Sequence, residues 1–361
     1  MNIVQLVENL EVGGLERLTV DLAVTHRSAG HQSSIYCIFE AGALAAEAEA
    51  SGIPVVAFRN KPGFSPGTIV RIASRLRRDR THVLHVHNPG IHIYGAPAAR
   101  LAGIRAVVNT RHGTANSLGR PYQERHFRCM MPLTGKVVAV SEETRQFLVK
   151  SGISPEKTCV ILNGLPLEKF LGRPAAPGSV LPRVRFGTVG RLVPVKAHRT
   201  LLEAFGLLRP RLPDAELRIV GGGPLLTDLK AQVDTLGLAG RAHLLGPRSD
   251  IPAILAGLDV FVSSSTREGM PLAVFEAMAA GLPIVSTRVG GVPEIAAEGE
   301  VAWFCPPGDA PALAEAMYRA ATSGRLHTMG RAAREVALNR LGIERMQRSY
   351  QALFEDLLGR S

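Results

Sequence analysis

Two carboxylates, Glu268 and Glu276, stand eight residues apart in the stretch SSSTREGMPLAVFE that spans residues 263–276. An apolar strand, Val260-Phe261-Val262, precedes them and ends in serines. Between them come Gly269, Met270 and Pro271, then Leu272, Ala273, Val274 and Phe275. A buried strand stops, a turn exposes backbone N–H groups, and a helix begins. A helix start offers unpaired N–H groups and the positive end of a dipole, which suits phosphate and sugar oxygens. The two carboxylates form either an acid–base pair or a division of labour between two parts of one ligand.

Positive groups for such a ligand lie in Val189-Gly190-Arg191-Leu192-Val193-Pro194-Val195-Lys196. Arg191 and Lys196 flank a loop at the carboxyl end of an expected strand. A guanidinium fork and an ammonium point charge there suit a diphosphate; the other reading is a solvated surface. No Asp-x-Asp occurs in the chain. A metal-bridged diphosphate of that kind is not indicated, and neither metal nor cofactor is expected. Gly221-Gly222-Gly223-Pro224 either admits a ligand closely or is a turn with proline opening the helix. Gly13-Gly14 is likewise an anion-accommodating turn or a plain tight one, and it is not the G-x-G-x-x-G of dinucleotide sites. His82, His85, His87 and His92 cluster without a carboxylate, so zinc is not expected. His85 reads as a core histidine. His87-Asn88-Pro89 closes a strand at its carboxyl end. His112, between Arg111 and Gly113, also follows a buried strand, and either points into a crevice or sits satisfied at the surface.

The elements that must position these groups are strand–turn–helix units. Strands are expected at the amino terminus (Ile3, Val4, Gln5, Leu6) and at 33–39, 54–58, 82–87, 106–110 and 136–140. Helices are expected at 42–51, 66–79, 91–102, 120–131 and 142–150, after an amphipathic run from Leu15. Several strands are unbroken apolar runs, the pattern of parallel strands covered on both faces. Residues 166–183, rich in Pro and Gly, read as a linker. The alternation then restarts, with strands at 184–189, 215–220, 242–245, 258–263, 283–286 and 301–304. Helices are expected at 197–209, 223–236, 249–256, 271–280 and 309–321. A last helical stretch, 325–357, sets Met346, Tyr350, Leu353 and Leu357 on one stripe. The expectation is α/β: two doubly wound Rossmann-like domains, 1–165 and 184–340, facing a central cleft, with 341–361 packing back on the first. Ligands of such sheets sit beyond the carboxyl ends of the strands.

The 361 residues carry 42 Lys and Arg against 31 Asp and Glu, and the excess is uneven. Residues 59–80 hold seven bases and one acid, as do residues 100–136. A basic face can meet anionic lipid or a phosphorylated substrate, or be merely solvated. No aromatic interleaving points to nucleic acid, which is not expected as a partner. Four scattered cysteines without CxxC favour a reducing compartment. No apolar run is long enough to span a membrane, and the amino terminus lacks a basic signal region.

The series of a Gly-Gly turn, His112-Gly113, Asn163-Gly164, Gly190-Arg191 through Lys196, the glycines at 221–223, and Glu268 with Glu276 resembles the retaining glycosyltransferases of family 4, with the GT-B fold, along the whole chain. GGLER, PGFSPG, HVHN and TRHG are further similar to bacterial sugar transferases of exopolysaccharide and envelope-glycan assembly. The resemblance implies transfer of a sugar from a UDP- or GDP-sugar to a hydroxyl of a glycan or lipid-linked acceptor. It implies that Arg191 and Lys196 hold the donor diphosphate and that Glu276 holds the ribose. Glu268 and the backbone of Gly269, Met270 and Leu272 meet sugar and phosphate oxygens, and Arg248 lies near the base. Gly13, Gly14 and Gly222 are donor-side turns, His112 contacts the sugar, and His87, Asn88 and Asn163 lie on the acceptor side. Retention comes from a covalent carboxylate intermediate or from same-face attack; the resemblance favours the second, so Glu268 is not taken as a nucleophile. The scattered cysteines point to the cytoplasm, and the basic stretches of the first half suggest docking to an anionic cytoplasmic membrane surface. The chain departs from the family at Pro166, where Asp is usual. The alternatives are a nucleotide-sugar 2-epimerase of the same fold and a non-catalytic nucleotide-sugar-binding protein.

Overall fold

A computed structural model describes residues 1–113, 121–171 and 183–359. Seven strands form the first sheet: β1 (Asn2–Val7), β2 (Gln32–Cys37), β3 (Val55–Ala57), β4 (Val83–His87), β5 (Ala106–Arg111), β6 (Lys136–Ala139) and β7 (Thr158–Val160). Six form the second: β8 (Arg185–Val189), β9 (Glu216–Val220), β10 (Ala242–Gly246), β11 (Val260–Ser263), β12 (Ile284–Thr287) and β13 (Ala302–Cys305). Their orders are β3-β2-β1-β4-β5-β6-β7 and β10-β9-β8-β11-β12-β13. All the pairings are parallel. The two doubly wound sheets expected from the apolar runs are therefore present. In each, strand order reverses once, between β1 and β4 and between β8 and β11. Such a reversal opens a crevice at the carboxyl ends of the strands.

By contact density the chain divides into Met1–Leu165 with Ile343–Ser361, and Pro166–Gly342. The first half packs Leu6, Leu84, Val86 and Tyr94 into one layer. Val7, Val20, Ile35 and Ile53 form the layer on the other face. The second half gathers Phe186, Leu201, Phe205, Leu217, Val260 and Met317. All five residues of β4 and all four of β11 are buried, which is why neither shows a period of two.

Three local expectations change. The stretch 325–357 is two helices, Leu326–Arg340 and Ile343–Gly359, parted at Leu341-Gly342. At the break the Ile343 N–H donates to Leu165 O, and the second helix packs with its own half, against the helix Gly14–Ser28 and β5. Its buried stripe is Ile343, Met346, Gln347, Tyr350 and Phe354. Phe354 takes the place given to Leu353, because the stripe runs through Ile343, Gln347 and Tyr350, in alternating steps of four and three, and its next position is 354. The strand β7 was not anticipated, since three residues carry no readable period. Of the expected linker, residues 172–182 lie outside the described residues; Leu167–Phe170 is a 3₁₀ turn opened by Pro166.

Candidate functional site

In the second half, β8 ends at Val189 and β11 at Ser263, on either side of the strand-order reversal. Their loops bring Lys196 and Glu268 together: Lys196 Nζ donates to Glu268 Oε1 at 2.6 Å. Ser265 Oγ donates to the same oxygen at 2.6 Å. Bonds to the carbonyls of Val195 and Lys196 pin the two loops. Ser264 Oγ donates to Lys196 O at 2.8 Å, and Thr266 N donates to Val195 O at 2.8 Å. The recess they line, with Thr188, His198 and Pro271 among its walls, holds about 270 Å³ of empty space, partly open to solvent. His198 is buried, and its ring is held at a pKa of about 4, first by burial and then by the charge of Lys196.

Two of the glycines after β9 make room for the neighbouring loop. Gly221 has φ +141°, and a Cβ there would land on Gly190 O. Gly223 has φ +154°, and its Cβ would lie 2.6 Å from Leu192 O. Leu192 N in turn donates to Gly222 O at 2.8 Å. The Gly-rich turn after β9 is thus the bed on which Gly190-Arg191-Leu192 lies, and Arg191 is exposed there. Gly222 itself is backed by Pro247.

Beyond Glu268 the chain enters the helix Leu272–Ala279, whose N-cap, Pro271, makes no side-chain cap bond to its first N–H groups. Gly269 O accepts from Gly291 N at 2.8 Å, and Met270 is buried. Glu276 is half-buried on the second turn of this helix, with Leu272 one turn before it. An ammonium, a carboxylate, a hydroxyl and uncapped N–H groups at one strand reversal can hold an anion and accept from hydroxyls. Arg248 stands apart, in an exposed fork with Asp250 at 2.6 and 2.7 Å.

In the first half the reversal is furnished with neutral rings. His87 closes β4 and is fully buried. Its Nε2 meets Gln5 Oε1 at 2.7 Å, and its Nδ1 meets His112 Nε2 at 3.1 Å. Both nitrogens of His87 are therefore taken up inside this half. His85 lies at 4.3 Å, ring to ring, and its Nε2 meets Thr110 Oγ1 at 2.7 Å. Thr110 Oγ1 in turn meets Tyr350 OH at 2.7 Å. Burial drives the pKa of His85 and His87 well below the usual histidine range, and that of His112 to about 3. Among the described residues no three of His, Cys, Asp and Glu gather to hold a metal ion.

The loop carrying His112 is held from below. Arg111, counted among the bases of residues 100–136, is fully buried; its guanidinium pairs with Glu124, and its Nε donates to Gly113 O at 2.8 Å. Thr114 lies outside the described residues. Asn88 takes a left-handed conformation, φ +67°, and its N–H donates to Thr110 O at 2.9 Å. Gly13 caps the helix Gly14–Ser28 in extended conformation, against the Glu16 carboxylate, while Gly14 is exposed. Asn163 is buried beside Gly164, whose N–H meets Met346 Sδ at 3.1 Å.

Sequence reasoning missed Gln5, Thr110, Tyr350, Ser265, His198 and Gly290. Gly290 has φ +62°, and a Cβ there would sit 2.6 Å from Gly269 O. The pair Gly290-Gly291 after β12 was a readable signal for a backbone crossing; a lone Gln or Thr in an apolar strand was not.

Comparison with known proteins agrees with this architecture. Residues 12–169 match the model of Glycosyltransferase Family 4, and residues 183–323 match that of Glycosyl transferases group 1. A UDP-Gal:alpha-D-GlcNAc-diphosphoundecaprenol alpha-1,3-galactosyltransferase of Escherichia coli is 34% identical over 62% of this chain, which spans 62% of that relative's length. A GDP-mannose-dependent alpha-(1-6)-phosphatidylinositol monomannoside mannosyltransferase of Mycolicibacterium smegmatis is 32% identical, over 67% of this chain and 68% of its own. Among solved structures, HepE of Anabaena in complex with UDP superposes with a TM-score of 0.87, covering 99% of this chain and 100% of that one at 22% identity. The matches over both halves, together with the two doubly wound sheets, make this chain a member of glycosyltransferase family 4 with the GT-B fold.

Proposed function

We propose that this protein moves a sugar from a UDP- or GDP-sugar to a hydroxyl of a glycan or lipid-linked acceptor, with retention at the anomeric carbon. The observation that carries the reading is the convergence of Lys196, Glu268 and Ser265 at the reversal between β8 and β11. Lys196, with Arg191 and the N–H groups of the helix Leu272–Ala279, receives the donor diphosphate without a metal ion. These positive groups stabilise the charge that grows on the leaving diphosphate as the sugar takes on oxocarbenium character. Glu268 accepts from sugar hydroxyls, and Glu276 holds the ribose. The acceptor oxygen attacks the anomeric carbon from the face the diphosphate leaves, and the leaving oxygen takes the acceptor proton. The E. coli and Mycolicibacterium relatives, named for a UDP-linked and a GDP-linked donor, support this class of donor.

Docking to an anionic membrane surface belongs to the same proposal. Phe64 and Val70 are exposed, at 60% and 57%, within the basic stretch that holds Arg59 and Lys61. Greasy side chains among cations suit an anionic interface. No described helix is long and apolar enough to cross a membrane.

The deciding experiment is a thermal-shift panel of UDP- and GDP-sugars, followed by mass spectrometry with polyprenyl-diphosphate-linked acceptors. One donor should stabilise the protein and yield a glycosylated product whose anomeric configuration matches the donor. Stabilisation by none of them, with no turnover or donor hydrolysis, overturns the reading.

A further inference from the structure

The hydrogen-bonded rings of the first half determine one another's protons. A neutral imidazole carries its hydrogen on one nitrogen and a lone pair on the other. Gln5 Oε1 can only accept, so His87 Nε2, 2.7 Å away, carries the hydrogen. With His87 neutral, its Nδ1 is bare and must accept. The partner of that nitrogen, His112 Nε2 at 3.1 Å, therefore carries the hydrogen of its own ring. His112 Nδ1 is then a bare lone pair. Desolvation holds both rings neutral, which removes the doubly protonated form that would break this logic.

We propose that Gln5 sets the tautomer of His112 through His87, so that His112 Nδ1 is an acceptor for a substrate hydroxyl. The selection acts on the ligand's chemistry. A lone pair takes an O–H, such as that of a sugar, and turns away a bare phosphate or carboxylate oxygen, which brings no hydrogen. The assignment of that hydroxyl to a sugar rests on the glycosyltransferase reading above; the tautomer does not. Gln5 and His87 are positioning residues, since neither has a nitrogen or oxygen left to meet a ligand except Gln5 Nε2, which is buried without a partner. The His87 ring is kept in place by the tilted His85 ring packed against it, and His85 by Thr110 and Tyr350. The helix Ile343–Gly359 thereby reaches the same ring chain from the far end of the sequence.

Two-bond ¹H–¹⁵N correlation on the full-length protein labelled with ¹⁵N-histidine reads each ring's tautomer directly. Wild type at pH 7 should show His87 and His112 both neutral and both hydrogenated at Nε2. His112 hydrogenated at Nδ1, the result if the Gln5 amide sits reversed, overturns the proposal without any variant being made. Gln5→Met removes the accepting oxygen and should mix the tautomers of both rings. UDP and GDP affinity by calorimetry should stay within about twofold, while turnover falls roughly three- to tenfold, the loss of one neutral hydrogen bond. An unchanged His112 tautomer in folded Gln5→Met also overturns the relay. Failure of wild type to bind UDP or GDP would overturn the functional reading instead, and the tautomer measurement would still decide the relay.

Discussion

The two halves of this chain share one strand order and furnish its reversal in opposite ways. At β1 and β4 the crevice is met by neutral rings wired to each other, His87 buried and His112 half-buried. At β8 and β11 it is met by an ion pair, a hydroxyl and an uncapped helix start. The same scaffold therefore offers one end suited to uncharged hydroxyls and another suited to an anion. Histidine burial is equally lopsided: His26, His85, His87, His92 and His112 are depressed in the first half, and His198 in the second.

That asymmetry predicts which half acid attacks first. His26 and His92 have folded pKa values of about 3 against an ordinary 6.5. Between those values the unfolded chain binds a proton that the folded chain refuses. Stability therefore rises with pH across this window and is lost on acidification. At pH 5 each of these rings costs about 2 kcal/mol. Trp303, the one tryptophan of the sequence, is buried on β13 and reports the second half alone. From pH 6.5 to 4, amide exchange should accelerate across β1, β4 and β5 before Trp303 fluorescence changes. Coincident transitions would break the contrast.

The next effect is on chemistry. Lys196→Ala removes a fixed charge from the proposed leaving group and should cost about 3 kcal/mol of transition-state stabilisation, roughly a hundredfold in turnover. His112→Ala removes a neutral hydrogen bond and should cost only about 1 kcal/mol. Steady-state rates with the donor found in the panel test this, with melting temperatures as the control for folding. Equal losses would mean that the two crevices do not divide charge and hydroxyl as described.

Smaller again is the link between the last helix and the ring chain. Tyr350→Phe deletes the hydroxyl that meets Thr110. It should lower first-half stability by about 1 kcal/mol, a fall in melting temperature of about 2–4 °C. No change would show that Thr110 and His85 satisfy each other without Tyr350.

The charged end was legible in the sequence because its signals are local. Glu268, Lys196 and Arg191 each follow an apolar run that any parallel strand would give, so their place at the carboxyl ends could be read directly. The neutral end was only half legible. His87 and His112 could be set at strand ends, but Gln5 in an apolar strand, and Tyr350 across 240 residues of chain from Thr110, give no periodic or compositional signal. Arg111 misled for a physical reason. Its buried charge is paid for by Glu124, thirteen residues on, together with the faces of Phe127 and Phe147, and charge counting along a sequence cannot separate it from a solvated arginine. The glycines at 221–223 left two readings open, room for a ligand or a turn; Gly221 and Gly223 make room for the backbone that bears Arg191.

The finest test of the charged end is its backbone. Ala197, between Lys196 and His198, holds a left-handed conformation, φ +48° and ψ +41°, at the start of the helix His198–Leu208. For a residue with a Cβ this costs about 1–2 kcal/mol. Glycine would escape that strain but give back about 0.4–1 kcal/mol through the freer unfolded chain. Ala197→Gly should thus stabilise the second half by about 0.5 kcal/mol, a rise of about 1–2 °C in the melt followed at Trp303. Turnover decides what the strain is for. If the rate is unchanged, the left-handed turn only admits the helix. If the rate falls as stability rises, the stiffer alanine is holding Lys196 on Glu268, and backbone strain joins the ion pair among the devices that ready this crevice for an anion. A lower melting temperature would mean that the buried methyl contributes more than its strain costs.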